Sequence, residues 1–149
     1  MARRYITEIW GKGNTDLIDE LVDENIVLRD PMSAKPAQGK EAFKQRVEMM
    51  AKGMDDNTMT IQELVVAGDV VVVRDRWSGV SKEDFFGVPA KGKRMTTDAV
   101  EWIRIKNGKV VENISYFDIY TMFQQLGALP APDQFKPEKP AIPLKPARA

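Results

Sequence analysis

The chain has neither histidine nor cysteine. Their absence excludes zinc sites built on imidazole or thiolate, nucleophile–histidine pairs and disulfides. Any general base must be Asp, Glu, Tyr or Lys, each needing a shifted pKa or a substrate with an acidic proton. Net charge is absent too, with 22 basic against 22 acidic residues, so neither nucleic acid nor an acidic membrane surface is an expected partner. No apolar run reaches the ~18 residues of a membrane-spanning helix, and the N-terminus shows no signal-peptide pattern. A reducing cytoplasm is the expected compartment. Gly11-Lys12-Gly13 lacks the spacing and the preceding strand of a phosphate loop, and no cofactor or metal is expected.

What is present is organised around residues 94–129. Two strand-like runs flank Asn107-Gly108, a pair suited to the positive φ angles of a type I′ turn. Counting outward as a regular ladder sets Trp102 opposite Asn113, Val100 opposite Ser115 and Asp98 opposite Phe117, all on one face. Ile103, Ile105, Val110, Ile114 and Tyr116 fall on the other, with Glu101 and Glu112. The mixed character of both faces implies a covered sheet that also lines a polar pocket.

Upstream, Arg3 to Trp10 reads as a helix broken by Gly11, and a second short helix follows a cap at Asn14 or Thr15. Glu24 to Asp30 reads as a strand ended by Pro31. Lys40 to Met54 is the longest helix, with Phe43, Val47, Met50 and Met54 on one stripe. Its methionines read as core filler rather than a ligand-adapted surface. Thr58–Ala67 and Val70–Ser78 form a hairpin turning at Gly68-Asp69, and its Val-rich run suits a sheet covered on both sides. A last helix runs from Asp118 to about Leu126 and ends at Gly127. The order predicts an α+β fold, with helices on the concave face of a curved antiparallel sheet. Residues 1–130 form the expected domain, and residues 131–149 a Pro-rich tail.

Four stretches carry a resemblance: YITEIWGKGNTDLIDELVDENIVLRD, QGKEAFKQRV, FFGVPAKGKRM and WIRIKNGKVVENISYFDIYTMFQQLGALP. Together they resemble the SnoaL-like, polyketide cyclase-like branch of the nuclear-transport-factor-2-like superfamily. The resemblance implies a cone-shaped domain with a small-molecule cavity, and proton abstraction next to a carbonyl. It also implies a catalytic aspartate on the last strand, after His-Trp. Here Asn113, Ile114 and Ser115 hold those positions, and Gly79-Val80-Ser81 stands where the family often has Gly-Thr-His. Limonene epoxide hydrolase, a cousin, uses Arg-x-Asp where this chain has Arg74-x-Arg76. The implied fold carries over, while both catalytic sets are missing.

On the predicted pocket face Asp98 is the candidate base, either desolvated against Trp102 and Phe117 or paired with Arg74, Arg76 or Arg94. Arg74 and Arg76 are candidate ligand clamps or partners for Asp30, Asp75 or Glu63. Trp102, Asn113, Ser115 and Phe117 are the remaining candidate ligand-binding residues, and Asp118 reads as a helix cap. Two functions stay open: a cofactor-free cyclase or isomerase, and a non-catalytic module that binds an apolar or polycyclic ligand or dimerises. A homodimer is expected through the apolar face of Ile103, Ile105, Val110, Ile114 and Tyr116. Pro140, Pro143 and Pro146 give the tail two P-x-x-P-x-basic patterns suited to SH3-type domains; the plainer reading is an extended, soluble spacer.

Overall fold

Asn107 and Gly108 turn the chain with φ of 49° and 73°, as the paired positive angles of a tight hairpin require. They join β5 (Arg94–Lys106) to β6 (Lys109–Phe117) in a computed structural model that describes residues 1–85, 87–130 and 134. The chain opens with α1 (Ala2–Arg4), which continues into a π-helical stretch (Tyr5–Trp10). A 3-10 turn (Thr15–Leu17), capped by the Asn14 side chain, leads into α2 (Ile18–Leu21). Then come β1 (Val22–Arg29), β2 (Ala37–Gln38), α3 (Lys40–Gly53), β3 (Met54–Ala67) and β4 (Val70–Ser81). After the β5–β6 hairpin, Asp118 caps α4 (Ile119–Gln125) by accepting from the Thr121 backbone N–H at 2.9 Å. The fold is α+β, with four α-helices and six strands among the described residues.

The strand order is β2-β1-β6-β5-β4-β3. The expected all-antiparallel sheet is corrected at one pair, because β1 runs parallel to β6; the other pairs are antiparallel. Tyr5, Ile6, Ile9, Phe43 and Val47 meet Val71, Val73 and Ile103 in one buried cluster, so the helices cover a single, inner face. A second cluster joins Trp77, Met95 and Ala90 to Met122 of α4 and to Leu126 just beyond it. The tail patterns at 140–148 lie outside the described residues.

The hairpin register differs from a regular count. From Lys106–Lys109 and Ile105–Val110 the ladder slips, so that Arg104 pairs with Glu112 and Val111 is an extra, bulged residue. Beyond it Glu101 pairs with Ser115, Ile103 with Asn113, Trp102 with Ile114 and Ala99 with Phe117. One extra residue exchanges the face of every later β6 side chain relative to β5. Asn113, Ser115 and Phe117 therefore share the inner face with Glu101, not with Asp98 or Trp102. Trp102, expected to be buried, is 42% exposed on the outer face. The expected outer patch is corrected as well. Ile103 and Val110 are buried in the core and Ile105 packs against it, while Ile114 and Tyr116 do face outward, beside Val65, Val100 and Trp102.

Candidate functional site

A cavity of about 540 Å³ opens between the two buried clusters, within the ~300–1,000 Å³ usual for small-molecule sites. Trp10, Trp77, Phe85 and Phe117 give it aromatic walls. Of the eight methionines, six line it: Met32, Met49, Met50, Met54, Met59 and Met122. The filler reading of the helix methionines holds in part: Met50 and Met54 pack against the second cluster while also lining the cavity. Asn57 fixes one side by accepting from Trp77 Nε1 at 2.6 Å and donating to the Trp10 and Gly11 carbonyls at 2.7 and 2.9 Å. Arg46 of α3 donates to Asp30, beyond the end of β1, at 2.7 Å, so this cation on the wall is already paired.

Glu101 projects from β5 to the cavity wall and is only 4% exposed. Asn113 Nδ2 donates to its Oε2 at 2.7 Å, and Ser115 Oγ donates a short bond to the same oxygen. Asn113 is held in turn by the Tyr5 hydroxyl, which donates to its Oδ1 at 2.9 Å. Oε1 receives no hydrogen bond among the described residues and is the oxygen left for a ligand. Burial pushes the Glu101 carboxyl upward; the Ser115 and Asn113 bonds act against that, and the Asp30 charge adds to it. Burial likewise drives the Tyr5 hydroxyl far up, so it stays a neutral donor.

Behind this wall Asp75 stands on the inner face of β4, fully buried, with neither carboxyl oxygen hydrogen-bonded among the described residues. Desolvation, then the charges of Glu101 and Asp98, push it up to about 7. No group of three or more acidic residues that could hold a metal ion is gathered among the described residues.

The sequence-predicted residues divide between the faces. Ser115 and Phe117 line the cavity, and Asn113 lies buried beneath its wall, bonded to Glu101. Asp98 lies on the outer face, where Arg76 grips it at 2.6 and 3.1 Å; that guanidinium holds its carboxyl below the usual range. The placement of Asp98 in the pocket is thus corrected, and its surface-pair alternative describes the contact. Arg74 pairs with Glu63 at 3.6 Å. Arg74, Asp98, Val100 and Tyr116 surround only a shallow outer hollow of about 260 Å³. Glu101, Asp75 and Asn57 were not singled out from sequence. The first two alternate with outward residues along strands, which points to the inner face once the bulge is known; Asn57 carries no such signal.

The SnoaL-like polyketide cyclase family model matches residues 1–126. The chain belongs to that family. Solved structures agree on the fold. A provisionally named polyketide cyclase from Acidithiobacillus ferrooxidans is 25% identical, with a TM-score of 0.76 over 85% of this chain and 91% of that one. TsrD from Streptomyces laurentii is 24% identical, with a TM-score of 0.75 over 85% and 92%. A Catenulispora acidiphila protein of ketosteroid isomerase-like fold, solved with trimethylamine, is 15% identical, with a TM-score of 0.69 over 91% and 96%. No curated protein matches the chain. The family resemblance places its acid/base at Ser115; in this chain the carboxylate facing that position comes from the neighbouring strand, at Glu101.

Proposed function

We propose that this family member is a cofactor-free cyclase or isomerase acting on a largely apolar, ring-containing carbonyl compound, with Glu101 as base. The observation carrying the reading is the Glu101 carboxylate, buried at the wall of an aromatic and methionine-lined cavity and anchored through one oxygen by Asn113 and Ser115. Oε1 takes a proton from the carbon next to the carbonyl and leaves an enolate. In a cyclisation, the enolate carbon bonds to a second carbonyl carbon of the same molecule, and the resulting alkoxide recovers the proton from Glu101. In an isomerisation, the proton returns at another carbon. Desolvation raises the basicity of Glu101, and Asn113 and Ser115 keep its geometry fixed.

The test is proton exchange. In D₂O the protein should bind 2-tetralone, quench Trp fluorescence and accelerate deuterium incorporation next to the carbonyl. Glu101→Gln should retain binding and lose about 10²-fold or more of the exchange. Undiminished exchange in that variant would remove Glu101 as the base. Binding with no exchange above buffer would favour the non-catalytic ligand-binding alternative. A second copy of the chain is proposed to cover the outer sheet face, since Val65, Val100, Trp102 and Tyr116 there are 55%, 40%, 42% and 67% exposed.

A further inference from the structure

Asp75 is a buried acid that the proposed reaction does not touch. It stands between Val73 and Trp77 on the inner face of β4, paired across the ladder with Ile61 of β3 and Ala99 of β5. Glu101 lies two residues beyond Ala99 on the same face, opposite Val73. The two carboxyl groups are therefore diagonal neighbours on adjacent strands, a relation that brings side chains within reach of one another. Both are removed from water, with Asp75 at 0% and Glu101 at 4% exposure.

Their surroundings differ in one respect. Glu101 accepts from Asn113 and Ser115, which favour its charged form, whereas Asp75 has no donor at either oxygen among the described residues. No cation is paired with either carboxyl among the described residues. Arg74 and Arg76 flank Asp75 in sequence, yet they are exposed and engaged with Glu63 and Asp98. The charges acting on the pair from around it are Asp98, already paired with Arg76, and Asp30 beyond β1, already paired with Arg46 of α3, and Tyr5 above it is neutral. Two neighbouring carboxylates without a counter-ion do not both ionise readily, and the hydrogen bonds decide which keeps its proton.

We propose that Asp75 and Glu101 form a carboxyl pair bearing a single negative charge, in which Asp75 holds the proton and so keeps the charge on Glu101 at the cavity. Asp75 is a positioning residue. It meets no ligand and acts through the charge state of Glu101. Burial, which moves Asp75 up to about 7, agrees with this division. When Glu101 takes up a proton, the repulsion on Asp75 is relieved and its own proton is held less tightly. The catalytic consequence rests on Glu101 being the base; the pair itself exists without ligand.

The experiment is a carboxyl-carbon NMR titration from pH 4 to 9 of protein labelled at Asp and Glu side-chain carboxyls, in the unmodified chain and in Asp75→Asn and Glu101→Gln. The expected result is two resonances in the unmodified chain that titrate above the exposed acids, each showing both steps of a coupled pair. Glu101→Gln should lower the Asp75 midpoint by about one unit or more, whereas Asp75→Asn, which exchanges a neutral acid for a neutral amide, should leave the lower, Glu101 midpoint nearly in place. Asp75→Asn should also leave the acid limb of the exchange pH profile in place and remove the inflection near pH 7 at which Asp75 loses its proton. An Asp75 that titrates with the exposed acids, or an Asp75 midpoint that ignores Glu101→Gln, would overturn the pair. If either variant fails to fold, the unmodified chain decides: single-step resonances at both carboxyls overturn the proposal. Coupled midpoints with exchange intact in Glu101→Gln would remove the base and leave the pair standing.

Discussion

Asp75 binds its proton more tightly in the folded chain than in the unfolded one, because burial disfavours its carboxylate. With a folded value of about 7 against 3.8 for the free group, its contribution to stability is complete below about pH 4. It is lost as pH rises towards 7, where the unfolded chain has already released the proton that the folded chain still holds. The loss is on the order of 4 kcal/mol at most, at about 1.4 kcal/mol per unit. Glu101, also raised, acts in the same direction. Asp75→Asn removes this dependence. Thermal unfolding should find the variant no more stable than the unmodified protein at pH 5, and more stable by several degrees at pH 8. A difference that stays flat across this range would show that Asp75 ionises as freely as a surface acid.

At the scale of the element, the β5–β6 hairpin shows where sequence reasoning held and where it stopped. Asn107-Gly108 was legible because both residues tolerate a backbone few others adopt. The helix cap at Asp118 and the stripe of Phe43 and Val47 were legible because each follows from local chemistry or a period. The bulge was not. Val111 is as β-branched as Val110, and nothing in its side chain announces an unpaired residue. That one residue put Asp98 on the predicted pocket face and Glu101 on the opposite one. The parallel β1–β6 pairing was hidden too, since strands distant in sequence carry no local sign of their partner. The bulge also sets a testable asymmetry. Deleting Val111 makes the ladder regular while Asn113 and Ser115 still face Glu101. Deleting Ile114 turns Ser115 and Phe117 outward. Melting temperatures should show the second deletion to be much the more damaging, by 10 °C or more on the order of a lost buried network. Equal losses would mean that Val111 is needed where it is.

At the scale of the molecule, the sheet serves two surfaces. The outer one carries Val65, Val100, Trp102 and Tyr116, and its proposed cover is a second copy of the chain. Sedimentation should report about twice the 16.8 kDa chain mass, and Trp102→Arg with Tyr116→Lys should return the particle to a single chain while the fold persists. A particle of single-chain mass before substitution would leave that face free. The sheet is one backbone thick between these surfaces. Val100, facing out, adjoins Glu101, facing in, and Tyr116 stands between Ser115 and Phe117 of the cavity. Pressure on the outer face reaches Glu101 through a single peptide unit. Self-association and ligand affinity are therefore expected to be thermodynamically linked, and whatever factor one imposes on the other is returned in full.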